Sequence, residues 1–461
     1  MESRMPAIKP ASVNSLPLEL LSIIFIIANL PLSRHFWLFA DFKLVASRVC
    51  RYWRTIVDGT SALWTALPVT RGTSPDFVDY YFRRANGAAI EVCINMQSFS
   101  LMPGRVSDMR QTVELKDVHT FCDTILPVLS RHDDSIRRLL VKGDSVDDIQ
   151  HFVRSFTSSG GRRLTQLAMY IPRRWMQHFT HLEPLANNEL DLPPILNIKA
   201  LVLAGIRFLG PTATFASLTS LHLTGLFLPV SWHLLSRALA SASMLRKLVM
   251  FNINCPDCDG VAPLSLPSLE IFVFGSSGRD YDTRILKVLE FPAVSILTLR
   301  VVGGNTMSPF LPLKKVLSHI RCVRLGFRHP MFVTDFLAVA RNIETLVLET
   351  PETFRTVSAL LIGKALELPR LKLVEALCVV EDDVARTLVS AVNVELFAPT
   401  SLSFVDTDIF YGRERQHWYL DPTETVLSTR LTIPFVVPCN LVAAWPDVQL
   451  ERNPLIPSMF V

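Results

Sequence analysis

The chain has 461 residues, nearly half of them apolar (49 %), with 46 basic against 42 acidic side chains for a net charge of +4. This length fits two or more ordinary domains or one extended array, and the apolar share calls for a packed chain and argues against disorder. So small a charge, on scattered basic residues, demands no nucleic acid, and no apolar run reaches the ~18 residues of a spanning helix.

The first predicted element is a short helix. Pro17 stands where a missing N–H costs nothing, and Glu19 lies in the first turn, where the helix dipole favours a carboxylate. From Leu20 to Ala28 only Ser22 is polar, so this helix is apolar nearly all round and needs burial on two sides. A second helix, over roughly 42–58, puts Phe42, Val45, Val49, Trp53 and Ile56 on one stripe, with Lys43, Ser47, Arg48, Arg51 and Arg54 off it and Gly59 as the stop. That stripe covers one side of the first helix and leaves the other without a partner. A secretory signal is opposed by the late start of the apolar run, by Glu19, and by Pro31, Arg34 and Asp41 in place of a small-residue cleavage site.

The segments Leu16-Pro17-Leu18-Glu19-Leu20-Leu21-Ser22-Ile23-Ile24-Phe25, Val49-Cys50-Arg51-Tyr52-Trp53-Arg54-Thr55-Ile56-Val57 and Leu63-Trp64 follow one another in this order. Together they resemble the F-box-like domain of fungal F-box proteins, over residues 13–70. The resemblance implies a small all-α module that binds the adaptor subunit, and through it the cullin, of an SCF-type ubiquitin ligase. It places Leu16, Pro17, Leu20, Leu21, Ile24 and Phe25 against the adaptor, and gives Val49, Trp53, Ile56 and Trp64 the task of holding the module together. The sequence departs from the pattern in the aromatic stretch His35-Phe36-Trp37-Leu38-Phe39 and in Ser61, where Pro often follows Thr. A helical cap on a larger fold is the other reading of these residues.

From residue 130 a repeat of the form apolar-x-x-apolar-x-apolar recurs. Its fourth positions fall at Leu139, Leu167, Leu201, Leu221, Leu248, Phe272, Leu297, Val323 and Leu346. Their spacing of roughly 20 to 34 residues is that of leucine-rich repeats. Ile90 to Met96 and Leu371 to Leu377 read as degraded copies. Between the strands, Ser74-Pro75-Asp76 and Ser145 with Asp148 open helices, and further helices are expected over 231–242, 281–290, 330–341, 352–366 and 381–393. The predicted fold class is therefore α/β: a helical module followed over 71–400 by an irregular leucine-rich-repeat solenoid, parallel strands inside and helices outside. A doubly wound sheet would carry more continuously apolar strands and a Gly-rich phosphate turn. Residues 401–461, with six prolines and no repeat, read as a C-terminal cap and irregular tail.

Strand alternation turns Lys142, Tyr170, His222, Lys247, Phe251, Arg300, Arg324 and Glu349 to the open face. A protein substrate is expected on Tyr170, His222, Lys247, Phe251, Arg300 and Arg324, with an acidic or phosphorylated segment against Arg300 and Arg324; a plain solvated face is the alternative. No phosphate loop, nucleophile elbow or H-E-x-x-H motif is present, so no catalytic residue, metal or cofactor is expected. His132-Asp133-Asp134 and Glu381-Asp382-Asp383 read as a loop and a helix start, and Cys255-Pro256-Asp257-Cys258, with no second cysteine pair at zinc spacing, as a structural loop. Eight cysteines, Cys50, Cys93, Cys322 and Cys378 among them in apolar surroundings, fit buried thiols in the cytoplasm or nucleus. The function expected is that of a substrate-recognition subunit with no membrane partner. A repeat scaffold uncoupled from ubiquitination is the alternative, and a redox enzyme built on Cys255 and Cys258 a third.

Overall fold

The computed structural model describes residues 13–29, 42–97, 117–171, 189–191, 197–209, 215–224, 230–251, 253, 255–258, 260–276, 285–286, 288–301, 319–327, 330–364, 368–376, 387–388, 390 and 395–397. The aromatic stretch 35–39 and the expected C-terminal cap 401–461 lie outside them. The described residues form two compact units, one of residues 13–93 and 117–136, the other of residues 94–97 and 137–397. The sequence boundary at residue 70 falls inside the first unit.

In the first unit α1 (Leu18–Asn29) is followed by α2 (Phe42–Val49) and α3 (Arg51–Gly59), where the sequence suggested one helix. The chain breaks at Cys50, which is extended and whose Sγ accepts from the Trp53 amide at 3.4 Å, capping α3. A thiol is outside the usual capping set, so periodicity gives no warning of the break. The break shifts the phase of α2. Lys43 and Ala46 turn inward, and Val49, expected in the core, is exposed. The buried Lys43 ammonium lies 4.8 Å from the Tyr81 ring centre and 5.6 Å from that of Trp64. Aromatic faces of this kind stabilise a desolvated cation by about 2 kcal/mol. A 3-10 turn (Ser61–Trp64) then delivers Trp64 to the core, its Nε1 donating to the Val57 carbonyl at 2.9 Å.

The chain continues through β1 (Ala66–Thr70), α4 (Pro75–Ala85), β2 (Ile90–Asn95) and α5 (Val118–Arg131). Ser74 caps α4 as expected, with Pro75 in its first turn and Asn86 closing it in the left-handed conformation. Trp64 and Tyr81 meet edge to face at 5.1 Å, and the Tyr81 hydroxyl donates to the Ala66 carbonyl, so the N-terminal helices and this α/β segment share one core. His132, at the end of α5, stacks on Phe82 with ring centres 4.2 Å apart and pairs its Nε2 with Asp79 at 2.9 Å, a structural role within a turn.

The second unit is a parallel sheet laid down in chain order: β3 (Ile136–Lys142), β4 (Gln166–Tyr170), β5 (Ala200–Ala204), β6 (Ser220–Thr224), β7 (Lys247–Phe251), β8 (Ile271–Ser276), β9 (Ile296–Val301), β10 (Cys322–Phe327), β11 (Thr345–Leu348), β12 (Leu373–Ala376) and β13 (Glu395–Phe397). The nine fourth positions aligned from the sequence pair with one another strand by strand, from Leu139 opposite Leu167 to Val323 opposite Leu346, and Val374 and Leu396 extend the row. Two residues on, Val141, Met169, Leu203, Leu223, Met250, Phe274, Leu299, Leu325 and Leu348 make a second buried row on the same face. Just before β4 to β12 runs a polar row, linked laterally through Arg246–Glu270 (3.8 Å), Arg321–Glu344 (3.9 Å) and Lys372–Glu344 (2.9 Å). These pairs are largely exposed and contribute little energy, so the leucine rows carry the stability.

The connections contain α6 (Val146–Ser159), α7 (Trp232–Ser241), α8 (Pro330–Val339) and α9 (Pro351–Ile362), close to the expected spans. The helix expected over 281–290 is not formed at its end, since Leu289 and Glu290 pair as a short strand with Leu264 and Ser265. Of the one expected over 381–393, residues 387, 388 and 390 are described and are helical. Gly205 is required where it stands: its φ is +71°, and a Cβ there would lie 2.7 Å from the Ile171 carbonyl oxygen.

Phe272 is fully buried, 4.8 Å from the Phe291 ring. Phe272→Ala should cost about 3–5 kcal/mol by lost burial and cavity formation, while Met244→Ala, at an exposed site, should stay within about 0.5 kcal/mol. Urea unfolding of the two variants measures both.

Candidate interaction surfaces

The N-terminal surface follows from which side of α1 is used internally. Leu21 and Phe25 are buried (0 and 1 % exposed), with the Phe25 ring edge-on to Phe42 at 5.5 Å and to Trp53 at 4.8 Å. The Trp53 indole N–H donates to Asn14 Oδ1 at 2.9 Å and the Tyr52 hydroxyl to the Leu16 carbonyl at 3.2 Å, tying the start of α1 to α3. Leu21 and Phe25, expected at the adaptor, are therefore core residues: they lie one turn apart on the face that α2 and α3 cover. Leu20 and Ile24 are exposed as expected, as is Pro17; Leu16 is half-buried.

On the uncovered side Leu20, Ile23 and Ile24 are 45–52 % exposed, and Val45 and Val49 of α2 are 52 and 57 % exposed. Ile23 was missed by motif matching, although a helical wheel with Leu21 and Phe25 inward puts it beside Leu20 and Ile24. With Val13 and Leu18, these residues are seven of the eight exposed large apolar side chains among the described residues; the eighth is Met244. Ile56 and Trp64 are buried as expected, and Trp53 is half-buried.

The sheet face opposite the leucine rows differs from the open charged surface expected of it. His222, Lys247 and Phe251 are buried. The Phe251 ring lies over Gly275, where a Cβ would come within 2.0 Å of it, and Val249, Phe251, Val273 and Ile271 form an apolar cluster. Each such side chain is flanked on both sides by a parallel strand about 4.8 Å away, so alternation to this face does not by itself mean exposure. Tyr170 is half-buried, and Arg300 holds the register position between Gly275 and Gly326. Arg324 is paired through Nε with Glu349, both side chains only 12–13 % exposed, so it is not a free cation awaiting an anionic ligand. Glu375 lies near this pair. Burial raises its carboxyl above the ordinary range, and Arg324 opposes the shift. Burial, then Glu375, push the Cys322 thiol up to about 11.

Asp257 explains the Cys255–Cys258 loop. Its carboxylate accepts from the Trp232 amide at 2.8 Å and the Ser231 hydroxyl at 3.1 Å, capping α7 from outside the helix. Burial would raise this carboxyl, but the hydrogen bonds outweigh it and hold it low. Cys258 Sγ donates to the Cys255 carbonyl, and the Cys255 thiol, raised by burial and then by Cys258 and Asp257, is a poor nucleophile. Among the described residues no group of three or more His, Cys, Asp or Glu could hold a metal, and no helix is long and apolar enough to cross a membrane.

No protein-family profile matches the sequence, and no curated protein matches it. A solved structure with similarity to this chain is the leucine-rich repeat-containing protein LegL7 from Legionella pneumophila, 11 % identical, with 71 % of this chain and 98 % of that one covered at a TM-score of 0.33. The mixed α/β fold with a long parallel, leucine-rich-repeat-like sheet is read from this chain's own strand order and register.

Because the folded pKa of Glu375 is raised, the folded state binds its proton more tightly than the unfolded chain, and this group's contribution to stability falls as pH rises through the folded value. Glu375→Gln should therefore raise the thermal midpoint at pH 7, and the gain should shrink as pH falls towards the ordinary carboxylate value of 4.5. Thermal melts of parent and variant across this range check the sign.

Proposed function

We propose that this protein is a non-enzymatic substrate-recognition subunit of an SCF-type ubiquitin ligase, with an F-box-like module at its N-terminus and a protein substrate on its repeats. The observation that carries the reading is the concentration of exposed aliphatic side chains on the first two helices, Val13, Leu18, Leu20, Ile23, Ile24, Val45 and Val49. Soluble proteins rarely leave such a patch uncovered unless a partner covers it. The Leu16-Pro17 opening and the Cys50-Arg51-Tyr52-Trp53-Arg54 segment give the partner its proposed identity, an SCF adaptor that links the chain to a cullin. Leu21 and Phe25 pass from the contact set to the core, and Ile23, Val45 and Val49 join the contact set. The substrate is a protein, and the place of action is the cytoplasm or nucleus.

The test is capture of a purified SCF adaptor by the full chain. Ile24→Asp and Leu20→Asp place a charge in the desolvated contact and should weaken binding by about 3 kcal/mol or more, roughly a hundredfold. Both should leave the thermal midpoint in place, since these side chains are exposed. Leu21→Asp should instead unfold the first unit. Retention of adaptor by Ile24→Asp at the parent's level would overturn the F-box-like contact surface, and no capture by the parent would leave a repeat scaffold uncoupled from ubiquitination.

A further inference from the structure

Around the apolar residues of α2 and α3 the charge is one-sided. Residues 42–59 contain Lys43, Arg48, Arg51 and Arg54 against a single acid, Asp58, which Arg84 takes at 3.2 Å. Lys43 is buried, but Arg48, Arg51 and Arg54 are exposed, and no described acid pairs with any of these three. Arg54 also donates its Nε to the Ser47 carbonyl at 2.9 Å, which bridges the break between the helices. Arg48 follows Val45 by three residues, so cation and exposed aliphatic share one side of α2.

Resting on the docking reading above, we infer that the partner covering this surface is a protein that sets carboxylates around an aliphatic groove, and that Arg48 and Arg51 steer its approach. Three positive charges beside a patch of Leu, Ile and Val complement such a rim, and guanidinium groups pair carboxylates in a bidentate way. A lipid surface fits less well. Segments that bind anionic membranes carry clusters of four or more cations, whereas α2 and α3 expose three, and among the described residues no large apolar side chain that is exposed is aromatic. A nucleic acid fits less well again, since it offers nothing to a dry aliphatic patch. Charges at the rim of an interface act on the association rate, while the aliphatic centre sets the lifetime of the complex.

The experiment measures association of the full chain with a purified SCF adaptor at several salt concentrations, for the parent, the double variant Arg48→Gln/Arg51→Gln and the double variant Arg48→Glu/Arg51→Glu. The expected result is an on-rate that falls with salt in the parent and by about tenfold or more in the Glu variant at low salt, with the Gln variant between them and off-rates little changed. The Gln variant guards against a folding defect in the Glu variant. Parent binding with an on-rate indifferent to salt and to both variants overturns the acidic rim and leaves the docking reading in place. No binding by the parent overturns the docking reading and this inference with it. Binding of the parent to phosphatidylcholine–phosphatidylserine vesicles, lost in the Glu variant, assigns the arginines to a membrane and overturns the protein rim.

Discussion

A parallel sheet tolerates no slip of register when one of its faces is a row of leucines. Shifting any strand by one residue would turn Leu221 or Leu297 to the opposite face and bring His222 or Thr298 into the row that contains Phe272, against which Phe291 packs. The rest of the second unit follows from this constraint. Connections between strands vary in length and in structure, from the helix between β3 and β4 to the short paired strand at Leu289–Glu290, because only the apolar row must be delivered in phase. The residues just before the strands are free to carry the exposed Arg246–Glu270 and Lys372–Glu344 pairs.

Much of this was legible in the sequence, for the same reason. A row that must stay in register repeats in the sequence, and the nine positions aligned from spacing alone pair with one another in the sheet. What failed to show is whatever depends on one local hydrogen bond or on neighbours distant in sequence. Cys50 capping α3 through sulfur turns one expected helix into two, and with that break Lys43 moves into an aromatic core and Val49 out of it. Leu286 and Leu289 look like helical spacing, yet Leu289 finds a strand partner in Leu264. The assignment of Leu21 and Phe25 to a partner failed because a matched motif names residues without saying which side of the helix they occupy. The aromatic contacts of Phe25 with Phe42 and Trp53 decide that.

The opposite sheet face shows the limit of reading exposure from alternation. Period two says which residues share a face, and the register agrees: His222, Val249, Val273, Thr298, Arg324, Val347 and Glu375 form one row. It does not say that the face is wet. With Val249 and Val273 in its middle and Phe251 leaning over Gly275, this face buries apolar surface of its own, so the sheet is apolar on both sides at β7 and β8.

Arg324 follows from that environment. An arginine on a half-dry sheet face cannot stand alone, because an unpaired charge there costs several kcal/mol, and Glu349 satisfies it from the end of a neighbouring strand. Glu375 then has only a share of a cation already committed to Glu349, which is why burial prevails over Arg324 in setting its carboxyl. The local balance of this patch is thus set by two carboxylates around one arginine, the reverse of the positive surface that Arg324 suggests when its sequence position is read alone. Arginines with no acidic partner among the described residues are found instead on α2 and α3, where Arg48, Arg51 and Arg54 stand beside the exposed aliphatic side chains and solvent carries the cost of their charge.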